Sequence, residues 1–150
     1  MSTFEREAKQ MLQKVKSAVA DAMNTTLLDG MHEAIKQSVQ TNVYGRYQPK
    51  AYARRDENGI MSEAYNELTK EAKAGDLSIV ITNTAPGNAE YEPADGAGVP
   101  ADAVEQGGPW NFPLEPDPGP RPFLEPAKEM YVGSGQAEQH IVNTVNILLK

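Results

Sequence analysis

The sequence predicts an α+β domain in which a small antiparallel sheet packs with N-terminal and C-terminal helices and a long Pro/Gly-rich loop projects. Three observations carry that expectation. Apolar residues recur at three-and-four spacing at both ends of the chain, which marks amphipathic helices. A β-branched run, Leu77-Ser78-Ile79-Val80-Ile81-Thr82-Asn83-Thr84, sits between turn formers and marks a strand. From Pro86 to Pro122 prolines recur so often that no long regular element survives, because each removes a backbone donor. At 150 residues the chain suits one domain, 1–150, read as helical over 2–41, strand and loop over 43–122, and helical again over 123–149.

Each element has its own signal. Phe4, Ala8, Met11, Leu12, Val15, Val19, Ala22 and Met23 line one face of a first helix, and Ser2 with Glu5 three residues on forms a capping box at its start. After Asn24-Thr25-Thr26 a second helical pattern runs through Leu28, Met31, Ile35 and Val39, and Asp29-Gly30 either starts that helix or weakens one long helix. Pro49 argues against helix beyond Val43, so Val43 to Arg55 reads as an ordered loop or edge segment. Residues 60–73 suit a helix by propensity or one arm of a hairpin turning at Lys73-Ala74-Gly75-Asp76, and the hairpin is favoured because a strand follows. Ala103-Val104-Glu105 can form a short extended piece; Pro126 to Tyr131 reads as helix, Gly133-Ser134-Gly135 as a break, and Ala137, Ile141, Val142, Val145 and Leu148 as the stripe of a terminal helix.

Composition excludes much chemistry. With no cysteine the chain has no disulfide, no thiolate nucleophile and no sulfur-ligated zinc. His32 and His140 are far apart, and neither has a second histidine at metal-ligand spacing. The expectation is therefore no enzyme, no catalytic residue, no metal and no cofactor. No apolar run is long enough to span a bilayer and no leader pattern opens the chain, so synthesis in a cytoplasm without membrane association is expected. The net charge of -7 disfavours a dedicated duplex-DNA binder. Between Lys73 and Arg121 there is no basic residue at all, whereas acids such as Asp76, Glu90, Glu92, Asp102 and Glu115 fall there, so one region is strongly acidic.

Candidate contact residues cluster in two places. Tyr44, Arg46, Tyr47, Tyr52, Arg54 and Arg55 combine aromatic faces with guanidinium forks, which suit acidic protein partners or nucleic-acid backbones. Trp110, Phe112, Arg121 and Phe123 bring aromatic bulk to the proline-rich stretch, which favours docking on another chain. A nucleic-acid-binding accessory protein using the segment 44–55 is the alternative reading.

Two motif groups carry a family resemblance. Ala103-Val104-Glu105-Gln106-Gly107-Gly108, followed by Pro120-Arg121-Pro122-Phe123-Leu124-Glu125-Pro126-Ala127, resembles the "V-E-x-G" and "(R)P-F-(L)-x-P-A" pattern of phage tail-completion and head-tail joining (neck) proteins. The upstream Val43-Tyr44-x-x-Tyr47-x-Pro49-x-x-Tyr52-x-Arg54-Arg55 is similar to a stretch of phage neck-region virion proteins. The resemblance implies a structural virion protein of the neck or tail region, assembled as a homo-oligomeric ring, hexamer or dodecamer. Its neighbours would be connector and tail-tube proteins, and DNA would pass through the channel without specific binding.

Overall fold

The computed structural model describes residues 2–46, 60–61, 66–70, 78, 80–85, 104–107 and 119–150. Its dominant feature is one helical run from Thr3 to Tyr44. Helix α1 (Thr3–Ala22) passes through a wide π turn (Met23–Leu27) into α2 (Leu28–Ser38), and a second π turn (Val39–Tyr44) ends the run. Backbone angles stay right-handed helical at the joints, with φ -68 and ψ -39 at Met23 and φ -60 and ψ -45 at Val39. The start is capped as the sequence predicts: Glu5 N–H donates to Ser2 Oγ (3.2 Å), and Ser2 N–H donates to Glu5 Oε2 (2.6 Å). Asn24-Thr25-Thr26 is thus no break. The Thr25 hydroxyl donates back to the Asp21 carbonyl (2.8 Å) and the Thr41 hydroxyl to the Gln37 carbonyl (2.9 Å), so these residues use their side chains inside the helix.

The chain returns along this run. Helix α3 (Leu124–Lys128), a π turn (Glu129–Gly133) and helix α4 (Gln136–Leu148) follow, with the predicted break at Gly133-Ser134-Gly135 between them. Phe123 lies at Ser38 and Tyr131 at Gly30, so the segment 123–133 runs antiparallel to α2. Helix α4 then packs on the end of α1, where Ile141 joins Val19, Ala20, Met23 and Leu27. The core forms where α2 meets the return segment. Ile35, Val39 and Val43, spaced four apart on one face, are buried with Ile60, Ala85, Val104, Phe123, Ala127 and Tyr131.

These observations correct the α+β expectation. Among the described residues β-structure is limited to one short antiparallel pair, β1 (Asn66–Lys70) and β2 (Val80–Asn83), in which Leu68 faces Ile81; the rest is mostly helical. No sheet layer forms among those residues for helices to pack on. The apolar face of α2 is covered mainly by other helical segments, and the β-branched residues Val39, Thr41 and Val43 stay helical because burial of the two valines outweighs their weak strand preference. The expected hairpin pairing is present, whereas its turn at Lys73 to Asp76 lies outside the described residues. Two boundaries also move. The first helical region ends at Tyr44, not before Val43, and residues 104–106 form a helical turn in place of an extended piece.

Candidate functional site

Three features of the surface and core bear on function. The first is a buried junction that unites the two halves of the motif pattern. Helix α3 begins at Phe123 without a side-chain cap of its own, leaving amide donors to satisfy. Glu105 supplies the acceptor from 18 residues away: its Oε1 takes the amide protons of Phe123 (2.8 Å) and Leu124 (2.6 Å). On the opposite side the buried Ser38 hydroxyl donates to the Phe123 carbonyl (2.7 Å), and Asn42 donates to Ser38 Oγ (3.1 Å). Arg121 N–H donates to the Val104 carbonyl (2.8 Å), tying the segments of this knot together. Gly107 is required beside it. Its φ is 69°, and a Cβ there would lie 2.6 Å from Pro120 N. "V-E-x-G" and "R-P-F-L" are therefore one clamp that sets the direction of α3 and seats Phe123, which is 0% exposed, in the core. Phe123 anchors α3 on α2.

The second feature is a hydrogen-bonded group at the middle of the molecule. Tyr131 lies against Gly30, whose missing side chain makes room for the ring; a Cβ there would collide with it. The Tyr131 hydroxyl is 2.7 Å from His140 Nδ1 and 3.4 Å from the Thr26 carbonyl, with the two rings tilted at 59°. Burial, and then the Asp29 carboxylate, push the Tyr131 pKa upward, so the phenol stays protonated and acts as a structural donor. Thr26 and Thr144 hydroxyls meet at 3.1 Å nearby.

The third feature is apolar surface. Residues 2–14 of the N-terminal segment are exposed all round, and the predicted stripe presents Phe4 (78% exposed), Met11 (61%) and Leu12 (56%) to solvent. On another part of the molecule an open groove of about 300 Å³ is floored by Leu27, Met31, Ile35, Ile81, Leu124 and Val132, with Glu125 and Lys128 at its rim. Those two rim charges pair with each other at 3.1 Å.

The candidate contact residues named from the sequence divide sharply. Phe123 and Arg121 are buried within the chain, which removes them from an exposed interface. Tyr44 is half-buried and packs on the core, and Arg46 is exposed. Tyr47, Tyr52, Arg54, Arg55, Trp110 and Phe112 lie outside the described residues. The spacing of the α1 stripe marks it as apolar but does not tell that its first turns are unpartnered; that signal is only visible in the return path of α4. Among the described residues no cluster of three or more His, Asp or Glu could hold a metal ion, and no helix is long and apolar enough to cross a membrane.

Fold and surface together define a helical hairpin with a clamped return segment and an outward apolar stripe. A family model described as YomN matches residues 7–146, and the chain belongs to that family. The family name is phage-derived, which associates the chain with phages. No curated protein and no solved structure matches it.

Proposed function

We propose that this chain is a structural, non-catalytic virion subunit of a tailed phage, of the tail-completion or head-tail joining type, that works by assembling into a ring between connector and tail tube. The observation that carries this reading is the exposed stripe of α1. Phe4, Met11 and Leu12 lie on a helix end that no other described part of the chain covers, and large apolar residues so placed mark a protein contact. The family adds the phage association, and the paired motifs at 104–107 and 121–127 add the resemblance to neck proteins. The polar groups best suited to chemistry are engaged elsewhere: Glu105 caps a helix, and His140 holds Tyr131. A ring follows from heterologous contacts that close by rotation, and the copy number expected is six or twelve.

Two measurements test the reading. Light scattering of the purified protein, alone and with connector or tail-tube subunits, should give a closed multiple of the 16.3 kDa chain or a defined complex. Mass spectrometry of purified phage particles should find the protein in the virion. A chain that stays single at every concentration, ignores those partners and is absent from particles would refute the proposal.

A further inference from the structure

We propose that α4 is a detachable arm: it releases from α1 as a unit, turning about Gly133-Ser134-Gly135, while the clamp and the core around Phe123 stay closed. The packing divides the molecule at that point. The main core holds Ile35, Val39 and Phe123 at 0% exposure, and of α4 it takes only Ala137. The other apolar contact of α4 is a separate, smaller cluster, in which half-buried Ile141 meets Val19, Ala20, Met23 and Leu27. Much of its remaining apolar surface is unused even when docked, with Val142 46%, Ile147 70% and Leu148 52% exposed. Burial of apolar surface is what holds a helix on its support, so α4 is held less firmly than α2 and the clamped return segment.

The joint suits release. Gly133, Ser134 and Gly135 are all exposed, and a Cβ at Gly135 would meet nothing within 4 Å, so no packing fixes the chain there. Gly135 sits at φ 81°, and glycine moves between positive and negative φ at little cost. Helix α4 also begins there without a side-chain cap, so no cap ties its first turn to the rest of the chain.

Two polar pairs fasten the arm across the joint. The Tyr131 hydroxyl lies 2.7 Å from His140 Nδ1, and the Thr26 and Thr144 hydroxyls meet at 3.1 Å. Each pair joins α4 to the body of the molecule, Tyr131 from the main core and Thr26 from the first helical run. They act as a latch of modest strength, because an intramolecular hydrogen bond replaces bonds that the same groups make to water. A helix of 13 residues is marginal on its own in water, so α4 frays once released and its amides meet solvent. Each subunit thereby has one fixed end, at the clamp, and one end that can be re-set, whether or not it assembles into a ring.

Native-state hydrogen exchange of the full chain, read amide by amide, tests this. In the unaltered protein the amides of residues 140–148 should exchange at least roughly tenfold faster than those of Ile35 and Val39, because they need only the arm to open. Ile35→Val then separates a detached arm from whole-chain unfolding. It weakens a core that stays shut when the arm opens, so it should speed the core amides by roughly three- to tenfold and leave those of α4 unchanged. A covalent latch supplies the converse. The chain has no cysteine, and T26C/T144C places two thiols where hydroxyls now touch, within bridging reach. The oxidised variant should slow α4 to the rate of the core, and reduction should restore its fast exchange. Circular dichroism of both variants should match the unaltered protein. Equal protection of α4 and Ile35 in the unaltered chain, equal acceleration of both regions by Ile35→Val, or α4 amides that ignore the bridge would each overturn the proposal, because α4 would then open only with the whole molecule.

Discussion

The two ends of the molecule's apolar pattern have opposite fates. Around Phe123 the backbone polar groups are answered: Glu105 takes two amides, Ser38 donates to the carbonyl, and the ring is sealed among Ile35, Val39 and Ala127. Around Phe4 nothing from the described chain approaches, although the same three-and-four spacing continues through Met11 and Val15 to the buried Ala22 and Met23. Periodicity alone therefore says which face is apolar, not what covers it. Position along the helix decides that, since α4 reaches only the later turns of α1.

Substitutions should separate the two regions by size of effect. Phe123→Ala should be the most damaging, lowering stability by about 3–5 kcal/mol in a urea melt, because a fully buried aromatic leaves a cavity beside a fixed helix start. Glu105→Ala should follow at about 2 kcal/mol. It strands two amide donors in a partly buried site, and Glu105→Gln, which keeps an acceptor there, should recover most of the loss. Gly30→Ala should cost about 1 kcal/mol despite better helix propensity. The overpacking against Tyr131, roughly 1–3 kcal/mol, exceeds the gain of at most about 1 kcal/mol that alanine brings to a helix interior. The smallest effect belongs to the stripe: F4E/L12E should change the stability of the lone chain by no more than about 0.5 kcal/mol, since neither residue is packed. A large loss there would show that α1 is buried within its own chain and would dissolve the contrast.

The sequence made the helices legible and the architecture less so. Ser2 and Glu5 mark the first cap, Gly133-Ser134-Gly135 the break before α4, and the apolar stripes their helices. The sequence leaves open whether one run passes through Asn24-Thr25-Thr26, because Thr25 is of a type that usually signals a turn or cap and here bonds back to a preceding helical carbonyl. The end of the run lies past the boundary that Pro49 suggests, because a proline restricts only the residue before it and leaves Asn42 to Tyr44 free to stay helical, with Val43 buried beside Phe123 and its neighbours. The motif clamp was visible as two patterns but not as one object, since nothing in local spacing says that Glu105 meets the amide of Phe123. For the stripe, the residues were plain and their exposure was not.

Hydrogen exchange across residues 3–14 tests the proposed contact through the α1 stripe most directly. In dilute, single-chain protein the amides of these first turns should exchange rapidly, as those of a helix end without tertiary cover do, while those near Ile35 and Phe123 are protected. In concentrated, assembled protein, or with a partner subunit bound, the same α1 amides should become slow. Equal exchange over 3–14 in both states would mean that the stripe stays bare on assembly, and would contradict a contact made through Phe4, Met11 and Leu12.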